Sequence, residues 1–118
     1  MGLDTSHDAW HGAYGTFNQW RREIAKAVGM PPLFDMAGFG GNIEWSTLVP
    51  NDIHILLSHS DCDGEISWQD CKLVADELTK ILDKLPNENF YFSVKSRAEQ
   101  FIKGCMLAYE LKEDLDFH

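Results

Sequence analysis

Between Ser67 and Pro86 the apolar residues Cys71, Val74, Ala75, Leu78, Ile81, Leu82 and Leu85 recur every three or four positions, the spacing that lines side chains along one face of an α-helix. A helix with a continuous apolar face is stable only when other elements cover it, so this stripe predicts a packed helical core. Ser67 stands at the N-cap position, and Asp70 three residues on favours the positive end of the helix dipole. Pro86 closes the helix.

Two further segments predict partners for that face. "TFNQWRREIAKAVG" reads as a helix capped by Thr16, with Gln19 completing a capping box and Phe17, Trp20, Ile24, Ala27 and Val28 on one side. Gly29, Pro31 and Pro32 stop it. A last helix is expected from about Ser93 to Lys112, with Ser96 and Glu99 as another capping box and Ala98, Phe101, Ile102, Cys105, Ala108 and Tyr109 buried. Gly104 within it costs up to about 1 kcal/mol relative to alanine, which points to close packing against another helix. A short helix is expected over 51–58, with Ile53, Leu56 and Leu57 inward. Residues 30–50 read as irregular, with at most an extended piece around Ile43 to Trp45. "GFGGN" there lacks the spacing of a phosphate-binding glycine loop. The expected fold is mainly α: a single compact domain over 1–118 with about four helices.

Length and charge limit the function. The chain has 118 residues, 44% of them hydrophobic, which suits one domain with its own core. Ten basic residues against nineteen acidic ones give a formal charge of −9, which disfavours nucleic acid as a partner because no basic surface dominates. Three cysteines, Cys62, Cys71 and Cys105, include no CxxC pair, and their odd number fits a reducing cytoplasm. No stretch approaches the roughly 20 apolar residues needed to cross a bilayer, and the N-terminus lacks the apolar run of a signal peptide. "MGLDTS" matches the myristoylation pattern through Gly2 and Ser6.

"HSDCDGEISWQD", residues 59–70, matches much of an EF-hand calcium loop. With Gly64 at the sixth position, His59 falls first, Asp61 third, Asp63 fifth, Ile66 eighth, Ser67 ninth and Asp70 twelfth, with helices expected on both sides over about 51–85. Two ligands depart from the pattern. Imidazole replaces the first carboxylate, and Asp70 is a methylene shorter than the usual bidentate glutamate. Nitrogen ligands would favour zinc or a similar divalent ion over calcium. The plain structural alternative is a helix-connecting turn whose aspartates bond backbone amides.

The histidines extend that site. His7 and His11 are four apart, so a helical turn would place both imidazoles on one side. Together with His59, Asp61 and Asp63 they form the expected metal ligand set, with Asp4, Cys62, Asp70 and His118 as supporting or additional ligands. "HDAWH" also stands one methylene from HExxH, with Asp8 as the base of a metallohydrolase. The structural alternative is that His7 and His11 hydrogen-bond locally near Trp10 and Tyr14.

"MGLDTSHDAWHGAYGTFNQWR", "HSDCDGEI" and "FIKGCMLAYELKEDLDFH" together resemble a family of small, functionally uncharacterised proteins encoded by bacteria and their phages. The likeness covers both ends and the middle loop but not residues 30–50 or 86–95. The matching stretches contain Asp4, His7, His11, His59, Asp61, Asp63 and His118. The resemblance implies a microbial or phage source and a shared site, but no particular reaction, and it argues against myristoylation. The leading expectation is therefore a small metal-binding protein whose N-terminal segment folds over the 59–63 loop. Its rivals are an acidic interaction protein that occupies a basic surface on a host protein, and a protein that sequesters a small anionic ligand.

Overall fold

Ser67 caps the predicted helix: its hydroxyl accepts the Asp70 backbone N–H at 3.2 Å in the computed structural model, which describes residues 2–48, 51–60, 63–85 and 93–118. This helix, α3 (Trp68–Ile81), buries Cys71, Val74, Ala75, Leu78 and Ile81. They pack mainly on α4 (Val94–Leu111), whose buried face is Val94, Ala98, Phe101, Gly104, Cys105 and Ala108. Ser93, not Ser96, caps α4; the Ser93 hydroxyl accepts the Ser96 N–H. The second expected capping box is thus displaced by one turn.

The first long helix, α1 (Tyr14–Ala27), also starts earlier than expected, and Thr16 lies inside its first turn. Its N-cap is Ala13, which offers no side-chain acceptor. A strand, β2 (His11–Ala13), runs directly into the helix, which explains the shift. Along α1 the buried residues are Phe17, Trp20, Arg21, Ile24 and Ala25, so an arginine lies in the interior. The short helix α2 (His54–Leu57) is one turn rather than two. The Asn51 side-chain oxygen accepts the Ile53 N–H, and this local turn occupies the residues that would have begun the helix.

Two small antiparallel sheets complete the fold. β1 (Gly2–Asp4) pairs with β2, and β3 (Glu65–Ile66) pairs with β4 (Leu115–Asp116). A Thr5–Phe117 bridge joins the two systems, and Asp4 and His118 exchange backbone hydrogen bonds of 2.9 Å in both directions. The N-terminal segment, the C-terminal segment, His59 and residues 64–66 therefore meet along one seam. Across 33–43, a 3-10 turn (Leu33–Asp35) leads into isolated bridges from Met36 to Ile43 and from Ala37 to Gly41. The expected extended piece reduces to Ile43, since Trp45–Thr47 is a second 3-10 turn.

The buried apolar side chains form one cluster drawn from all four helices and both sheets. A path of ring contacts runs through it: Phe117 lies 5.9 Å from Phe17, Phe17 lies 5.1 Å from Trp10, and Trp20 lies 5.2 Å from Phe101. Among the described residues, no helix is long and apolar enough to cross a membrane.

Candidate functional site

The N-terminal histidines do not share a helical face. His7 and Asp8 both adopt left-handed backbone conformations (φ 59° and 58°), which end a 3-10 turn (Ser6–Asp8) and reverse the chain into β2. The helical premise for the His7 and His11 pair is thereby overturned. His7 is nearly buried; its Nε2 lies 2.8 Å from Glu113 Oε1, and its Nδ1 lies 2.7 Å from the Ser6 hydroxyl. The Ser6 oxygen accepts the Asp116 N–H, which leaves its proton for His7 Nδ1.

His11 is held by carboxylates: Nε2 lies 2.5 Å from Asp8 Oδ1 and Nδ1 lies 2.9 Å from Asp4 Oδ1. Hydrogen bonding to Asp8, and then to Asp4, raises its pKa above 6.5, because both partners favour the charged ring. Asp4, Asp8 and His11 thus come together at the hairpin mouth, with the His118 backbone beside Asp4. The helix α4 supports this hairpin from below. Arg97 donates to the His11 carbonyl, and its guanidinium lies 4.7 Å from the centre of the Trp10 ring. Gln100 donates to the Asp8 carbonyl.

His59 sits across the seam. Its ring lies 4.1 Å from that of Phe117, and its two nitrogens face the carbonyl oxygens of Ser60 (2.8 Å) and Glu65 (3.1 Å). Asp63 is exposed and makes no hydrogen bond or ion pair among the described residues. Asp70 contributes to the first turn of α3, and the His118 imidazole lies 3.5 Å from Asp116 Oδ2. Asp61 and Cys62 lie outside the described residues. Among the described residues, no group of three or more His, Cys, Asp or Glu side chains is arranged to hold a metal ion. The side-chain geometry explains this: each ring nitrogen of His7, His11 and His59 already faces a hydrogen-bonding partner.

A cavity of about 530 Å³ lies between α1, the 33–41 segment and the turn after α2. Asn18, Arg21 and Arg22 line one side of it, Leu33, Phe34 and Phe39 another, and Ser58, His59 and Ser60 the third. Arg21 is fully buried and organises the floor. It donates to the carbonyls of Leu56, Leu57 and His59 and to Asn18 Oδ1, and its guanidinium lies within cation–π range of Phe17 and Phe39. It thereby receives the carbonyls at the end of α2, which no longer helix is there to satisfy. Arg22, the next residue, is exposed at the rim. The loop holds its shape partly because Gly41 packs on the Asp35 backbone, where any Cβ would overlap the carbonyl.

Sequence reasoning missed Asn18, Arg21, Arg22, Phe34 and Phe39. One signal was available: Arg21 stands four residues after Phe17 and beside Trp20, which places a charge at the edge of a buried stripe. Cys71 and Cys105 are buried free thiols. Cys105 is held well above the usual thiol range by its contact with Cys71 and by burial. The hydrogen bond from Cys105 holds the Cys71 thiol below the usual range, and both thiols are shut away from solvent. No family model, curated protein or solved structure matches this chain, so its site is read from its own geometry.

Proposed function

We propose that the chain is a small-ligand-binding protein and that its site is the cavity beside His59. One observation carries this reading. The cavity falls within the size range of small-molecule sites, its lining is more polar than apolar, and it sets Leu33, Phe34 and Phe39 opposite polar groups of which Arg21 and His59 are fixed by backbone carbonyls. The Asp4, Asp8, His11 and His7 contacts then serve to fasten the ends of the chain.

In this reading the stretch over about 51–85 is an EF-hand-like frame put to another use. The support is local. Ile66, the eighth loop position, pairs with Leu115 of β4 where paired calcium loops would bridge each other. The Glu65 carbonyl, at the seventh position where such a loop offers oxygen to its cation, instead faces the His59 imidazole. The His59 side chain thereby braces the turn that lines the cavity.

Mass spectrometry under native conditions tests the proposal. The expected result is a small-molecule adduct on the purified chain, or one acquired from a metabolite extract, that is lost in Phe34→Ala protein. Bare protein that acquires no adduct from the extract would count against it. An adduct with the mass of a single divalent ion, removed by EDTA, would instead favour the metal reading built on His7, His11, His59, Asp61 and Asp63.

A further inference from the structure

The cavity also carries information about what it holds, and the inference rests on its being the binding site. The chain has nineteen acidic and ten basic residues, yet the ionisable described residues lining this cavity are Arg21, Arg22 and His59, with no carboxylate. The neighbouring cavity that shares Arg22 and Phe34 includes Glu23 beside Lys26, and the one between α3 and α4 includes Glu99 beside Lys103. In an acidic protein, a wall whose described ionisable residues are basic lowers the repulsion that an anion would otherwise meet there.

The available donor is Arg22. Arg21 is occupied with carbonyls and the Asn18 side chain, whereas the Arg22 guanidinium is exposed and makes no hydrogen bond or ion pair among the described residues. A guanidinium presents paired N–H donors in a fork that matches a carboxylate or phosphate. One exposed fork is too little for tight capture of a bare ion, because solvent screens an exposed ion pair. The remaining affinity must come from apolar area, and the opposite wall provides it. Phe34 is 56% exposed, on a 3-10 turn that follows Pro31 and Pro32, and Phe39 lies deeper, edge-on to Trp45.

We propose that the cavity takes a small organic oxyanion, a carboxylate or phosphate ester on a flat apolar body, with its charged end at Arg22 and its body against Phe34 and Phe39. Calorimetry on the full chain tests this with four probes that share one ring: phenyl phosphate, benzoate, benzyl alcohol and benzylamine. Inorganic phosphate is the fifth. Binding of phenyl phosphate or benzoate is expected, and whichever is tighter identifies the headgroup. Arg22→Gln should weaken it severalfold, up to about fivefold, as for the loss of an exposed ion pair. Phe34→Ala should also weaken it, and Lys103→Gln, in the α3–α4 cavity, should not.

The failures separate. Benzyl alcohol or benzylamine binding as tightly as the anions, still sensitive to Phe34→Ala, overturns the anion class and leaves the cavity as the site. Inorganic phosphate equalling phenyl phosphate overturns the apolar body. Binding that ignores both Arg22→Gln and Phe34→Ala, or no binding of any probe at millimolar concentration, overturns the site together with the class.

Discussion

His11 and His54 respond to pH in opposite directions. His11 has its pKa raised by Asp8 and Asp4, so its contribution to stability is full below about 6.5 and is lost as pH rises through the higher folded value. His54, beside Trp45, has its pKa lowered by burial; its contribution is full above about 6.5 and is lost as pH falls toward the depressed folded value. A proton-detected histidine titration should find His11 above 6.5 and His54 below it, and Asp8→Asn should lower the His11 midpoint more than Asp4→Asn does. A second single-residue test concerns Gly104. A Cβ there would stand 2.6 Å from Ala9 Cα, so Gly104→Ala should cost about 1–3 kcal/mol in urea denaturation despite alanine's better helix propensity. The sequence predicted close packing at Gly104, but the partner is the N-terminal hairpin rather than a helix.

Elements whose periodicity spans several turns were legible, and those that depend on two or three residues were not. The α3 stripe from Cys71 to Ile81 and the α4 stripe through Phe101 and Cys105 appear where 3.6-residue spacing puts them. β3 and β4, at two residues each, are too short for an alternating pattern to register. The spacing of His7 and His11 suits helical geometry, but two left-handed residues between the strands break it. The cavity was hidden for another reason: its walls come from α1, the 33–41 segment and the turn after α2, and only tertiary folding brings these together. The start of α1 offers a direct test. Ala13 caps the helix without a side-chain acceptor, so Ala13→Ser or Ala13→Asp should stabilise the protein by about 0.5–2 kcal/mol, measured as a raised denaturation midpoint.

On the scale of the whole molecule, Phe117 links the two ends of the chain to the core and to the loop. Its ring touches both Phe17 and His59, and its backbone bridges Thr5 and donates to the Gly64 carbonyl. Phe117→Ala should therefore cost about 3–5 kcal/mol. It should also speed amide exchange at Ile66 and His118 together, whereas a purely local role would affect only one of them. Ser6 and Asp116, which meet at this seam, are 110 positions apart in the chain. Drawing such a loop closed costs roughly 4 kcal/mol of entropy, which the several contacts of the seam together offset. Because the His59 ring stacks on Phe117, one side of the cavity is completed by a residue drawn from the opposite end of the sequence, and any change that loosens the seam also reshapes that side.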